Sequence, residues 1–145
     1  LDRLAPTGQS APCAVANRGL AGIDGTVATA AGLALARERP VRAVMGDLSF
    51  LHDAMSLACG RLEEVPDLQV IVLDDAGGAI FTGLEYAKVP GEDRFARLFT
   101  TPQRVAVGPL AAALGAVAHT PATLDELEQV LAEPVRGLSV VHLSL

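Results

Sequence analysis

The strongest structural signal in the sequence is an almost unbroken apolar run from Leu68 to Leu73, interrupted only by Gln69. A strand with one face in water would alternate apolar and polar residues, so this run predicts a strand covered on both faces. Further short apolar runs predict strands at Cys13–Ala16, Val41–Met45, Val117–His119 and Leu138–Leu143. Helix-forming stretches alternate with them at Asp24–Arg39, Asp47 to about Leu62, Val107–Leu114 and Pro121–Ala132. This alternation predicts a three-layer α/β/α fold with a mostly parallel sheet.

Local signals indicate where some of these elements begin. Asp24 is a suitable N-cap for the first predicted helix. Thr123 stands three residues before Glu126, which is the spacing of a capping box. Between Ala79 and Thr101 the periodicity is lost, and this predicts an irregular active-site loop or flap.

Composition narrows the possible classes of function. The 145 residues carry 17 acidic and 11 basic side chains, without a dense basic cluster, which argues against a nucleic-acid-binding surface. The longest weakly polar stretches have about ten residues, where a membrane span needs roughly 20. With no apolar signal segment at the start, we expect a cytoplasmic protein without a membrane span. Cys13 and Cys59 fit no metal-ligand spacing and are predicted to be buried.

Acidic residues and glycines follow two of the predicted strands, at the sheet edge where parallel sheets bind their ligands. They are Gly46, Asp47, Asp74, Asp75, Gly77 and Gly78. Because neighbouring strands lie about 4.8 Å apart, the carboxylates of Asp47 and Asp75 could converge on one Mg²⁺ ion. The helix N-terminus after Gly46 would offer N–H groups to an anion. A metal-bridged diphosphate site is one interpretation; an ordinary turn and N-cap pair is the other.

Three segments at or near these strand ends resemble a known family. They are ANRGLAGIDGT at residues 16–26, GDLSFLHD at residues 46–53 and DDAGGAIF at residues 74–81. Gly-Asp followed some thirty residues later by an acidic pair resembles the thiamine diphosphate signature. The flanking residues resemble the 2-succinyl-5-enolpyruvyl-6-hydroxy-3-cyclohexene-1-carboxylate synthases of menaquinone biosynthesis. The resemblance extends over essentially the whole chain, and it covers only the family's C-terminal, diphosphate-binding domain.

The resemblance implies residues that bind thiamine diphosphate and Mg²⁺, with Mn²⁺ as an alternative metal. The implied metal ligands are Asp47, Asp75 and the main-chain carbonyl of Gly77. Asp74 should not be a ligand as well, because adjacent residues at a strand end point to opposite sides. The further implied cofactor contacts are Gly46, Leu48, Ser49, Gly78, Ile80 and Ile23. Ile23 would prop the cofactor in a bent conformation, although an ordinary core isoleucine fits the sequence equally well.

The resemblance also implies substrate-binding residues, which are Arg18, Phe81 and Leu84. The guanidinium of Arg18 would pair with a substrate carboxylate, and the alternative is a surface or capping arginine. Phe81 and Leu84, with Ile80, would form an apolar wall beside the reacting carbon. The three histidines of the chain are predicted to have surface or structural roles.

The implied activity belongs to a larger enzyme. That enzyme would decarboxylate 2-oxoglutarate and add the succinyl-semialdehyde carbanion to isochorismate, in at least a homodimer with a shared active site. Because the chain begins with Leu1, we expect residues 1–145 to be one C-terminal domain of a longer protein. The activating Glu would lie in a missing N-terminal pyrimidine-binding domain, so no catalytic residue is expected here and the chain alone should be inactive. Two alternatives are another thiamine diphosphate carboligase or decarboxylase, and a non-catalytic dimerisation or regulatory module.

Overall fold

The structure, a computed structural model, describes residues 13–17, 22–85 and 92–145. The helices in these ranges are α1 (Thr26–Arg37), α2 (Asp47–Asp53), α3 (Glu92–Phe95), α4 (Val107–Ala113) and α5 (Leu124–Ala132). The strands are β1 (Val41–Gly46), β2 (Leu68–Asp74), β3 (Val117–His119) and β4 (Leu138–Ser144). Two short 3-10 turns cover Ala54–Leu57 and Ala79–Gly83, and a π-helical turn covers Ala96–Thr100.

The four strands form one parallel sheet in the order β1-β2-β4-β3. The two central strands are covered on both faces, as the apolar run predicts. In β2 both Val70 and Val72, on one face of the sheet, are fully buried. Gln69, which points to the opposite face, is only 4% exposed. Because all strands run in the same direction, Gly46 of β1 and Asp74 of β2 end at the same edge of the sheet.

Helices cover both faces of this sheet. The core on one face joins β1 and the central strands to α1, α2 and α4, through residues that include Val27, Phe50 and Val107. On the opposite face Arg42 donates hydrogen bonds to Gln69 and to main-chain carbonyl oxygens at the end of α5. The layers are therefore helix, sheet and helix, and the predicted α/β fold is confirmed.

The predicted first strand is wrong. Residues 13–17 are exposed and have no regular backbone structure. A strand needs a neighbouring strand that pairs with its backbone N–H and C=O groups. In the described part of the chain β1 is an edge strand and pairs with β2, so residues 13–17 have no strand partner there. The predicted burial of Cys13 and Cys59 is also wrong, because both thiols are exposed.

Two helix predictions also need correction. Asp24 does not cap α1, since the N-cap position is held by Gly25 in the left-handed region, with φ 68° and no side-chain cap. The helix that starts at Asp47 ends at Asp53 and not near Leu62, because Asp53 leaves helical geometry, with φ −120° and ψ 14°. A 3-10 turn follows it.

The capping signal of α5 is confirmed. The Thr123 side chain accepts a hydrogen bond from the backbone N–H of Glu126 at 3.2 Å, and the Glu126 carboxylate accepts one from Ala122. The segment predicted to be irregular instead holds several short helical turns, and its residues 86–91 lie outside the described ranges. No helix in the part of the chain that the structure describes is long and apolar enough to cross a membrane.

Candidate functional site

The carboxyl ends of β1, β2 and β4 border a cavity of about 190 Å³. Its walls include Asp47, Asp74, Ala76, Gln103, Val107 and Ser144. These residues are far apart in sequence and meet because the parallel strands end at one edge. Ligands of open α/β sheets bind at this edge, so the fold places the cavity where a ligand site is expected.

Asp47 is a buried carboxylate at the start of α2. It follows β1 directly, and only 4% of the residue is exposed. Burial raises the pKa of Asp47, and the negative charges of Asp74 and Asp75 raise it further, while a hydrogen bond from the Leu48 backbone opposes the shift. The charges of both acidic strand ends therefore act on Asp47, while the convergence of Asp47 and Asp75 on one cation stays a prediction.

Asp74 is held by two hydrogen bonds from the protein. Its Oδ2 lies 2.7 Å from His142 Nε2, and its Oδ1 accepts a hydrogen bond from the backbone N–H of Ala76 at 3.0 Å. The hydrogen bond from His142 is the main reason that the pKa of Asp74 is lowered. An ionised Asp74 can only accept, so Nε2 is the protonated nitrogen of His142. Asp74 is therefore half-buried and hydrogen-bonded, whereas Asp75 is exposed.

The turn after β2 needs glycine at one position. Gly77 has φ 126°, and a Cβ at this residue would overlap the main-chain carbonyl of Thr100. The same carbonyl oxygen accepts a hydrogen bond from the Gly78 N–H at 2.7 Å. Both glycines are buried, so the π-helical turn that ends at Thr100 fixes the shape of the turn that carries Asp75.

The residues predicted to meet a diphosphate lie together at the junction of β1 and α2. Gly46 ends β1 in an extended conformation, with φ −75° and ψ 165°. Leu48 and Ser49 follow in the first turn of α2 and are half-buried. Their backbone N–H groups belong to the first turn of the helix, where no intrahelical acceptor is available.

The predicted apolar contacts lie on the surface. Ile80 is 81% exposed, and Phe81 and Leu84 on the same short segment are also exposed, with Phe81 in an edge-to-face contact with Phe99. Ile23 is exposed as well, in the loop before α1, so it is not an ordinary core isoleucine. None of these four lines the cavity at Asp47. Arg18 lies outside the described residues.

The chemistry of the donors suits a hard divalent cation. Carboxylate and carbonyl oxygens are the ligands that Mg²⁺ takes in proteins, and Asp47, Asp75 and the Gly77 carbonyl supply oxygens of both kinds. Among the described residues no basic side chain forms an ion pair with the buried Asp47. No cluster of three acidic, histidine or cysteine side chains with metal-binding geometry occurs there either. A metal would therefore need main-chain or ligand oxygens to complete its shell.

Several wall residues were not identified from the sequence. Gln103, Val105 and Leu145 carry no motif, and nothing in the spacing links them to Asp47. His142 was predicted to be structural, and its contact with Asp74 is an interaction between residues 68 positions apart. Only the pairing of β2 with β4 brings these two side chains together.

Comparisons with known proteins agree on one family. The family described as "Thiamine pyrophosphate enzyme, C-terminal TPP binding domain" matches residues 7–143. The chain is 48% identical over 131 residues to the 2-succinyl-5-enolpyruvyl-6-hydroxy-3-cyclohexene-1-carboxylate synthase of Paenarthrobacter aurescens, covering 88% of this chain and 23% of the relative. A synthase of the same name from Nocardioides sp. is 50% identical over 130 residues, with 88% and 24% covered.

A solved structure is also similar to this chain over one part of its length. Benzoylformate decarboxylase from Polynucleobacter necessarius is similar with a TM-score of 0.65 and 28% identity, over 82% of this chain and 23% of that one. The chain thus spans about a quarter of the length of the relatives it matches. What is shared with all of them is one domain.

Proposed function

The chain belongs to the thiamine pyrophosphate enzyme family as its C-terminal TPP-binding domain, and from this premise we propose the function of the protein that carries it. The whole protein decarboxylates 2-oxoglutarate and joins the remaining four-carbon unit to isochorismate. The names of the relatives at 48% and 50% identity support this choice of reaction. In this proposal the chain is one domain, and a pyrimidine-binding domain and a central domain belong to the same polypeptide.

The observation that carries the proposal is the buried Asp47 carboxylate beside a second acidic strand end. Burying a carboxylate without a cation costs free energy, and two nearby negative charges increase that cost. A cation bound at this point would offset that cost. Mg²⁺, or Mn²⁺ in its place, bound by Asp47, Asp75 and the Gly77 carbonyl would neutralise these carboxylates and attract a diphosphate.

The residues of this chain would then bind and orient the cofactor. Backbone groups at Gly46, Leu48 and Ser49 would receive the diphosphate, and Gly78 allows the backbone to approach closely. Ile23 and Ile80 would pack against its aromatic rings. Bound thiamine diphosphate would supply the electron sink that decarboxylation and carbon–carbon bond formation require.

The substrate end of the site is proposed on the exposed apolar segment. Phe81 and Leu84 would exclude water from the reacting carbon, and Arg18 would pair with a carboxylate of the dicarboxylic substrates. The activating glutamate would come from the pyrimidine-binding domain of a partner subunit. A homodimer in the cytoplasm is part of the same proposal.

Calorimetric titration of the full-length protein with thiamine diphosphate tests the cofactor site. We expect saturable binding with Mg²⁺ and none after chelation. Asp47→Ala should weaken binding by at least about 100-fold, more than the loss of an outer-shell partner. Asp125→Ala on α5, an exposed carboxylate away from the site, is the matched control. Absence of saturable heat in the wild type would favour the non-catalytic module.

A second candidate is a different thiamine diphosphate decarboxylase or carboligase. The similarity to benzoylformate decarboxylase, at 28% identity and over 82% of this chain, favours it. Carbon dioxide release from 2-oxoglutarate, measured with isochorismate and then with other acceptors, separates the two. Turnover that does not depend on isochorismate would favour this second candidate.

A further inference from the structure

Two contacts tie the loop before α1 to the end of α2. His52 Nδ1 lies 3.0 Å from Asp24 Oδ1. The neighbouring Asp53 accepts a hydrogen bond from the backbone N–H of Ala28 on its Oδ2, at 2.9 Å. Two successive residues of α2 therefore contact the residues on either side of Gly25, Asp24 before it and Ala28 after it. Gly25 is the N-cap of α1 and has a left-handed backbone, with φ 68°.

The position of Asp53 is explained by α1 and not by its own helix. A carboxylate at the C-terminal end of a helix is unfavourable, because the helix dipole is negative there. The first turn of α1, in contrast, has no acidic residue and its N-cap has no side chain, so it lacks an acceptor of its own. Asp53 supplies that acceptor from outside, and a hydrogen bond from Ser56 Oγ to Oδ1, at 2.6 Å, holds its carboxylate in place.

These contacts connect the two ends of the proposed cofactor site. Ile23 precedes Asp24 directly and is 38% exposed, so its side chain is accessible to a ligand. Asp47 begins the same seven-residue helix that ends with His52 and Asp53. The separation between Ile23 and Asp47 therefore depends on how firmly the loop is held to α2.

We propose that His52 and Asp53 are positioning residues for the cofactor, which hold Ile23 in a fixed place relative to Asp47. The ligand would be elongated, with a diphosphate at the Asp47 end and an aromatic ring at the Ile23 end. This inference rests on the proposed function. Neither side chain needs to touch the ligand, since both act through the loop that carries Ile23.

The test measures the affinity of the full-length protein for thiamine diphosphate at saturating Mg²⁺. His52→Ala and Asp53→Ala should each weaken binding by a factor of about 5, the scale of one lost hydrogen bond or helix cap. Asp53→Asn keeps an acceptor oxygen and should bind nearly as well as the wild type. His119→Ala, on the edge strand β3, is the control and should leave the affinity unchanged.

The Ile23→Ala background distinguishes positioning from general stability. If His52 and Asp53 act through Ile23, their substitutions should have no further effect on affinity in that background. The loss of thermal stability in Asp53→Ala should persist there, because the cap of α1 is lost either way. If Asp53→Ala does not fold, His52→Ala provides the same test, because both side chains of the His52–Asp24 contact are largely exposed.

Two results would overturn the positioning role and leave the proposed function standing. One is wild-type affinity in His52→Ala and Asp53→Ala, and the other is an undiminished loss of affinity in the Ile23→Ala background. If the wild type itself shows no Mg²⁺-dependent binding, the proposed function fails, and the positioning role fails with it.

Discussion

At the scale of single residues, the buried carboxylate of Asp47 lowers the stability of the folded chain when it is ionised. Burial and two neighbouring charges raise the pKa of Asp47, so its ionised form is less favourable in the folded chain than in the unfolded one. Above that raised pKa the folded state therefore carries a penalty, which disappears once the pH falls below the ordinary value of 3.8 and the group is protonated in both states.

We expect Asp47→Asn to stabilise the protein when no metal or cofactor is present. At pH 7 the free energy of unfolding in urea should rise by about 1 kcal/mol, because an uncompensated buried charge is removed. The gain should vanish below pH 3.8, where the wild type is neutral at this position. Glu64→Gln, an exposed carboxylate in the loop before β2, is the control, and a lower stability of Asp47→Asn at neutral pH would contradict the expectation.

The residues at the strand ends could be predicted from the sequence in part only. Asp47 and the Asp74-Asp75 pair were identified because a strand end followed by an acidic residue and a glycine is a local pattern. The hydrogen bond between His142 and Asp74 was not, because it depends on the register of β2 against β4. The roles of Asp75 and Gly77 as metal ligands stay predictions.

At the scale of elements, Arg42 on β1 joins the sheet to the helix α5 that covers one of its faces. Its Nε donates to Gln69 Oε1 at 2.9 Å, and its Nη2 donates to the main-chain carbonyl oxygens of Leu131 and Glu133. Those carbonyls lie at the C-terminal end of α5, where a positive charge is favourable. Without Arg42 the buried amide of Gln69 would lose this partner.

We expect Arg42→Ala to destabilise the fold by about 2 kcal/mol, since several hydrogen bonds are lost and a buried acceptor loses its donor. Arg42→Lys should recover only part of this, because a single amine cannot reproduce the fork of the guanidinium. Urea unfolding measures both, with the exposed Arg61→Ala as control. Equal stability of Arg42→Ala and Arg61→Ala would show that the contacts contribute nothing.

Elements whose sequence pattern lies within a few adjacent residues were predicted correctly. Elements whose formation or end depends on residues far away in sequence were not. The apolar run of β2 and the capping box of α5 are properties of a few adjacent residues. The absent strand at Cys13–Ala16 depends on whether a neighbour pairs with it. The early end of α2 likewise depends on Asp53, whose carboxylate caps α1.

At the scale of the whole molecule, cofactor binding and folding should be linked. A ligand that binds only the folded state at about 100 times its Kd adds about 2.7 kcal/mol of stability. In the full-length protein this gain should appear as a rise in Tm. Thermal scans should give this rise with Mg²⁺ and thiamine diphosphate together, and chelation should reverse it. An unchanged Tm at saturating concentrations would contradict the proposed site.

The fold class and the family could both be predicted from the sequence, the first from periodicity and the second from three short motifs. The match over residues 7–143 confirms that family. The shape of the cavity could not be predicted, because its walls come from residues that are far apart in sequence and meet only in the folded chain.

The position of β4 has a consequence for the order in which the chain is made. This strand comes last in the described sequence, yet it lies between β2 and β3 and pairs with both. A nascent chain that has left the ribosome as far as α5 already holds Asp47 and Asp74, but not His142 or the Ser144 side of the cavity. The wall of the cavity is therefore completed only when this last strand inserts between β2 and β3.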